Sequence, residues 1–266
     1  MRAVLASAAA LVLAGPVHGA PSSPVPPPIS VTADVMNIDA VSRVVTAAGR
    51  VSISDGVITA TAQRATLYQR EGRGVLSGDA RAAGPQGVLK GAEMTITYAA
   101  RAITRLAARG QASLESKNLT IVAGTVTMSL ADDSVTADEA VQITSPPDVV
   151  ATGAHLTYRR ALGAATLEGS ARLQNRDGVI AGERIESTGR WERATVTGPV
   201  WGKFRDIEVR SRAAEYVGAE KKAIFTGDVQ VLQPGRVLIS EKVTVWYAAG
   251  RIVAEGQTRV RLEAPP

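Results

Sequence analysis

A short string, glycine followed by any residue and then a small or apolar one, recurs along this chain. It reads "GRV" at 49, "GDA" at 78, "GQA" at 110, "GSA" at 169, "GPV" at 198, "GDV" at 227 and "GQT" at 256. Successive copies lie 29, 32, 59, 29, 29 and 29 residues apart. The double gap holds a degenerate copy, "ADEA", with Ala137 in the glycine's place. Self-similarity at such a period means one supersecondary unit stacked many times, and nothing else in the sequence restricts the fold as much. The five tyrosines play no part in finding the period, yet they follow it. Tyr68, Tyr98, Tyr158, Tyr216 and Tyr247 fall 18 to 21 residues after the start of their units. They are expected to share one structural position, filled near Met128 and Thr188 in the units without a tyrosine.

Each unit reads as strands. "RVSIS" leads through Asp-Gly to "VITATAQRATLY", and "QREGRG" turns the chain into "VLSG". Apolar residues alternate with period two between turn residues, and the many Thr and Val suit a pleated surface. "EMTITY" puts Met94, Ile96 and Tyr98 on one face, with Thr95 and Thr97 on the other. "KVTVWY" does the same with Val243, Val245 and Tyr247 against Thr244 and Trp246. Met128, Leu156 and Tyr158 take the corresponding inward places in their units. After residue 29 no stretch keeps a capped helical period. One unit cannot bury its apolar face alone, so the expectation is an all-β, elongated antiparallel body of about seven to eight repeats over residues 29–266. The inward side chains are short, with two Phe and three Trp in the whole chain. A groove rather than a filled interior is therefore expected between facing sheets.

The first twenty residues, "MRAVLASAAALVLAGPVHGA", have the layout of a secretory signal peptide, with cleavage expected near Gly19 or Ala20. The apolar run from Ala3 to Ala14 is shorter than the roughly 20 residues of a membrane span. "PSSPVPPP", residues 21–28, follows as an extended linker. The formal charge is +5, and the basic residues are scattered among few aromatics, which argues against a nucleic-acid partner. There is no cysteine, hence no disulfide framework.

Chemistry-bearing groups are sparse. Beyond the leader the one histidine is His155, with no nucleophile or orienting carboxylate marked beside it, and it reads as a surface or turn residue. A zinc site would need several His or Cys ligands. "ADD" at 131–133 and "ADE" at 137–139 gather four carboxylates, as a calcium site or a glycosidase would, but acids in turns beside strands do the same. The glycines open strands and not helices, so they form no phosphate loop. No catalytic residue, metal or cofactor is expected, and the chain does not read as an enzyme.

The unit has a recognisable form: a small residue, a polar one, apolar-x-apolar-x-Tyr, a turn, a short strand, then Gly-x-apolar. It stands as "AEMTITYAARAITRLAARGQA" (92–112), "SEKVTVWYAAGRIVAEGQT" (240–258) and, more loosely, "AQRATLYQREGRGVLSGDA" (62–80). Over most of residues 31–262 this resembles the OstA/LptA-like family of lipopolysaccharide-transport proteins. The central units depart from the pattern: "ADEAVQITSPPDVVATGAHLTY" lacks the glycine and "GERIESTGRWERATVTG" lacks the tyrosine, so a bulge, widened turn or lateral opening is expected near 140–190.

The resemblance implies a β-jellyroll whose apolar interior holds the acyl chains of lipopolysaccharide or a related glycolipid. Met94, Ile96, Tyr98, Met128, Leu156, Tyr158, Val243, Val245 and Tyr247 would then be lipid-binding. It also implies a periplasmic location and partners among the other transport components of the inner and outer membranes. Subunits would join head to tail through unpaired edges at the strands holding Val31 and Val35 and those holding Val260 and Leu262. Within the family the soluble bridge role fits the short leader best. The competing reading is a parallel β-helix, either polysaccharide-active or adhesive and structural.

Overall fold

The structure is a computed structural model that describes residues 29–189 and 191–262. The expected signal peptide and linker, 1–28, lie outside those residues. Eighteen strands form a single sheet. They are β1 Ser30–Thr32, β2 Val35–Asp39, β3 Val44–Ser54, β4 Thr59–Tyr68, β5 Arg73–Gly84, β6 Gly87–Ala99, β7 Ala102–Ser116, β8 Leu119–Ser129 and β9 Ser134–Ser145. β10 Val149–Arg159, β11 Ala164–Asn175, β12 Gly178–Thr188, β13 Arg193–Phe204, β14 Ile207–Val217, β15 Lys222–Gln233, β16 Arg236–Trp246, β17 Arg251–Glu255 and β18 Arg259–Leu262 complete it. One 3-10 turn, Arg160–Leu162, is the sole helical element among the described residues.

From β3 to β16 each strand pairs antiparallel with the next, in a plain meander. Both outermost strands are split. β1 and β2 lie against the two halves of β3, and β18 and β17 against the two halves of β16. That makes sixteen strand positions, or about 70 Å of sheet at the usual spacing of about 4.8 Å. Antiparallel pairing throughout removes the parallel β-helix reading.

The recurrent glycine is a bulge. Gly49, Gly78, Gly110, Gly169, Gly198, Gly227 and Gly256 all have φ between 74° and 94°. The ladder slips by one residue at each of them that lies within a paired strand, for example between Arg109 and Ala112 opposite Thr125 and Ala123. Such a slip bends the strand and strengthens its twist. Strict alternation breaks on the partner strand: Met94 and Leu89 both face inward five residues apart, as do Val126 and Ala123 three apart. Each strand is therefore bent into two halves whose apolar faces look at one interior. The sheet becomes two arms joined along a row of bends. Arm one carries the turns after even-numbered strands, such as 69–72, and arm two the turns after odd-numbered strands, such as 55–58.

In the degenerate unit the left-handed pair is Glu139–Ala140, with φ of 70° and 52°, and not Ala137 as its sequence suggests. It falls 29 residues after Gly110, so the period continues unbroken. The glycine has crossed to the neighbouring strand. Gly78 and Gly169 stand against the side chains of Gln63 and Ala154, whereas here Gly124 makes room for Glu139. A Cβ on Gly124 would lie 2.8 Å from that of Glu139. Left-handed backbone costs a non-glycine residue about 1–2 kcal/mol, and glycine returns part of this to the unfolded chain. Glu139→Gly is expected to raise stability by about 0.5–1 kcal/mol, measured by urea denaturation, while Gly169→Ala lowers it.

Inward residues line up across the sheet in continuous rows. On arm two the row runs Val31, Ile53, Ala60, Ala82, Leu89 and onward to Val231, Leu238 and Val260. On arm one the central stretch runs Leu106, Met128, Val135, Tyr158, Ala165, Ser187, Ala194, Tyr216, Ala223 and Val245. The tyrosines thus do not share one position. Tyr158 and Tyr216 sit in this row, but Tyr68 lies one residue beyond its own row member, Leu67, and Tyr247 falls in the turn after Val245. The interior is also more filled than the expected groove. Short side chains let the arms approach, and the buried residues of both form one hydrophobic cluster.

Candidate functional site

The arms are clasped at two places. Near the N-terminal end Asp55, in the turn after β3 and only 6% exposed, accepts from the backbone N–H of Val57 and Ile58 through Oδ1, at 2.9 and 2.7 Å. Its Oδ2 crosses the seam and accepts from the N–H of Ile103, at 2.8 Å, where β7 begins on arm one. Burial alone would push this carboxyl up, but the backbone donors outweigh it and hold Asp55 below the ordinary carboxylate value. Towards the C-terminal end Asn175 Nδ2 donates to the Tyr216 hydroxyl at 2.9 Å. There Phe204 stacks on Tyr247 (centroids 5.2 Å) and Tyr247 on Tyr216 (6.0 Å). Burial, then the hydrogen bond with Tyr216, raises the Tyr247 phenol far above its ordinary value.

Between the clasps the seam widens. A cavity of about 490 Å³ lies under the turns 84–87 and 116–119 of arm two and against Leu156, Tyr158, Arg160, Ala165, Ser187 and Trp191 of arm one. A second, of about 450 Å³, adjoins it at Asn118, Ser145 and Trp191 and includes Pro146 and Pro147. The arm-one wall of the first cavity, from Leu156 to Ser187, comes from the region, 140–190, where the repeat departs from its pattern.

The inward candidates fall as follows. Met94, Ile96, Met128, Leu156, Val243, Val245 and Tyr247 are buried in the shared core. Tyr98 and Tyr158 are half-buried and pack against it. Leu156 and Tyr158 reach the central cavity, and Tyr98 lines an opening of about 540 Å³ beside the turn 69–72. The structure therefore brings the nine to one interior but only three of them to open space. At the sheet edges Val31 and Val260 end the same inner row, on β1 and β18. Val35 and Leu262 are 66% and 74% exposed.

The four clustered carboxylates separate into unrelated contacts. Asp132 accepts from Ser129, Asp133 from Arg160, and Asp138 pairs with His155 Nδ1 at 2.6 Å. Glu139 lies at the bend beside Gly124. His155 is thus held on the outer surface of the bend, away from the cavity lining. Sequence reasoning missed Asp55 altogether, because its role depends on a contact 48 residues away. It also passed over Ser187, whose one signal is the missing tyrosine in that unit.

Among the described residues no helix is long and apolar enough to cross a membrane, which says nothing of strands. No curated protein matches the chain. Among solved structures it is similar to LptH, the LptA-homologous periplasmic component of the conserved lipopolysaccharide transport device from Pseudomonas aeruginosa. The identity is 12% and the TM-score 0.40, over 44% of this chain and 95% of that one. A family model described as LptA/(LptD N-terminal domain) LPS transport protein matches residues 30–192 and 208–265. That match spans most of the sheet from β1 to β18, and the family consists of envelope transport proteins and not enzymes. The chain belongs to the LptA/LptD N-terminal-domain family of lipopolysaccharide transport proteins.

Proposed function

We propose that this chain is a periplasmic carrier of lipopolysaccharide or a related glycolipid. It would be exported by its first twenty residues and act as part of a bridge from the inner to the outer membrane with other transport components. The supporting observation is the arm-two row of inward apolar side chains that runs from one sheet edge to the other, from Val31 to Val260, with Gly202 its one position without a side chain. A track of this kind spreads its apolar surface along the sheet and has no single centre. The half-buried Tyr98 and Tyr158 stand at places where the arms leave space.

Photo-cross-linking in intact cells tests the reading. Cross-linkers at Tyr98, Met128, Leu156 and Tyr158 are expected to capture lipopolysaccharide, and ones at the outward, exposed Thr46 and Thr195 are not. Equal capture from both sets would sink the assignment of the interior as the track.

The bridge part of the reading rests on open strand edges, which template pairing with another chain. The edges lie at opposite ends of the sheet, so copies add head to tail without closing. Lysine on an edge strand discourages such pairing. A Val260→Lys, Leu262→Lys double variant is expected to lose concentration-dependent oligomers in sedimentation velocity and to keep the monomer fold. A sharp, concentration-independent dimer in the unmodified protein counts against head-to-tail growth.

A further inference from the structure

The outer face of arm two changes character along the sheet. Two outward rows cross it, one through Ser52 and Thr152 and the other through Ser54 and Thr144. From β1 to β10 ten of their eighteen positions are Ser or Thr. From β11 to β18 none of the fourteen is. Over the last five strand positions the first row reads Trp201, Arg210, Gln230, Ile239 and Arg259. The second, beside it, reads Lys203, Glu208, Leu232, Val237 and Arg261.

Threonine suits an outward strand position and keeps it wet, so strand formation alone does not call for this exchange. Ile239 is 51% exposed, and Trp201, Leu232 and Val237 are half-buried around it. Apolar side chains grouped in this way leave a patch in water, and such a patch marks an interaction surface.

The charges are also arranged differently here. Along the bends arginines meet acids: Arg50 with Asp34, Arg109 with Glu93, Arg184 with Glu168 and Arg212 with Asp228. On the arm-two patch the one acid, Glu208, accepts from Trp201 Nε1 at 3.0 Å and from Arg210 at 3.3 Å. Lys203, Arg259 and Arg261 form no ion pair among the described residues. The patch therefore has an apolar middle, an indole tethered by its N–H, and a surplus of cations.

That combination fits a lipid–water interface. Trp and aliphatic side chains settle at the headgroup level, while Lys and Arg extend to the phosphates. A nucleic acid would use the cations but gain nothing from Leu232, Val237 and Ile239. The family works in the envelope, where membrane surfaces are at hand.

We propose that the outer face of arm two, from β13 to β18, docks on an anionic phospholipid surface. Lys203, Arg210, Arg259 and Arg261 meet the headgroup phosphates, and Trp201, Val237 and Ile239 sit at the boundary of the acyl region. The face is on the outside of the sheet, so the docking does not rest on the interior track.

Vesicle flotation of the protein as purified from the envelope tests it. Vesicles of phosphatidylcholine and phosphatidylglycerol in equal parts are compared with phosphatidylcholine alone. Binding is expected to the mixed vesicles only, and to weaken as salt is raised. The Lys203→Gln, Arg259→Gln double variant is expected to bind about twenty-five-fold more weakly, about fivefold for each cation removed from an anionic surface. Ile239→Ser is expected to weaken binding about fivefold. Arg81→Gln, Lys90→Gln removes two cations from the same row in the N-terminal half and should bind as the unmodified protein does. All these positions face outward, so every variant should melt with the unmodified protein.

Absence of binding, equal binding to phosphatidylcholine alone, or the same loss in the Arg81, Lys90 variant overturns the proposal. So does a Lys203→Gln, Arg259→Gln protein that floats normally but loses oligomers in sedimentation velocity without vesicles. The face would then be a contact between proteins.

Discussion

Ile96→Asp is expected to unfold the protein rather than merely deprive it of lipid. Ile96 is fully buried in the arm-one row, between Gly74 and Leu106. A carboxylate there has no cation or donor facing it from those neighbours. The loss combines the transfer of the isoleucine with the burial of an unpaired charge, at least about 4 kcal/mol. Against a typical total of about 5–15 kcal/mol this is a large share. Urea denaturation followed by circular dichroism checks it, with the outward Thr46→Asp as control, expected within about 0.5 kcal/mol of the unmodified protein. A stable Ile96→Asp protein would mean that the arms part readily and that water already reaches this row. Loss of lipid in such a variant is therefore informative only after its fold has been measured.

The second large effect belongs to Asp55. Asp55→Ala removes the acceptor for three backbone N–H groups, two in its own turn and one across the seam, and should cost about 3 kcal/mol. Asp55→Asn separates the two roles. Its oxygen can keep Val57 and Ile58, but its NH₂ faces the Ile103 N–H, so the turn survives and the clasp does not. The expected loss is about 1–2 kcal/mol, with faster amide exchange at Ile103.

The pH dependence has a definite sign. The folded carboxyl titrates below its unfolded value of about 3.9, so its contribution is present in full above that pH. It is lost as pH falls through the folded value. The unmodified protein should therefore lose stability relative to Asp55→Asn only below about pH 4, and the gap between the two should be constant from there to neutrality. A gap that widened between pH 5 and 7 would show that another group carries the clasp.

Much of this architecture was legible because it is written many times. The 29-residue spacing and the alternating strands follow from local pattern alone, and the edges expected at 29–38 and 258–263 coincide with the outermost strands within a residue or so. The misses have physical causes. Ala137 takes the glycine's place in the sequence pattern while the left-handed pair is Glu139–Ala140, because that site is a property of backbone and the glycine that relieves Glu139 sits on another strand, at 124. The tyrosines were grouped because their offsets differ by one or two residues, yet in a sheet one residue is the difference between inside and outside. Tyr68 and Leu67 illustrate it. The filled interior could not be read from one unit, since it depends on how closely two arms of short side chains approach. The nine inward candidates share a face, and face alone does not distinguish Ile96, sealed in the core, from Tyr158, which meets the cavity.

The split strands at both edges have a consequence for how such a chain can vary in length. Each outermost position is made of two short pieces, one per arm, and neither edge depends on how many hairpins stand between them. Removing or inserting one whole unit changes the strand number by two. Direction, facing and both terminal surfaces stay the same where the unit falls outside the spans closed by the clasps, 55–103 and 175–247, because elsewhere neighbours in a stacked array interact with neighbours. At about 4.8 Å per strand the molecule is graduated in steps of about 10 Å. A lineage could lengthen or shorten it by duplicating or losing 29 residues at a time, without redesigning either edge.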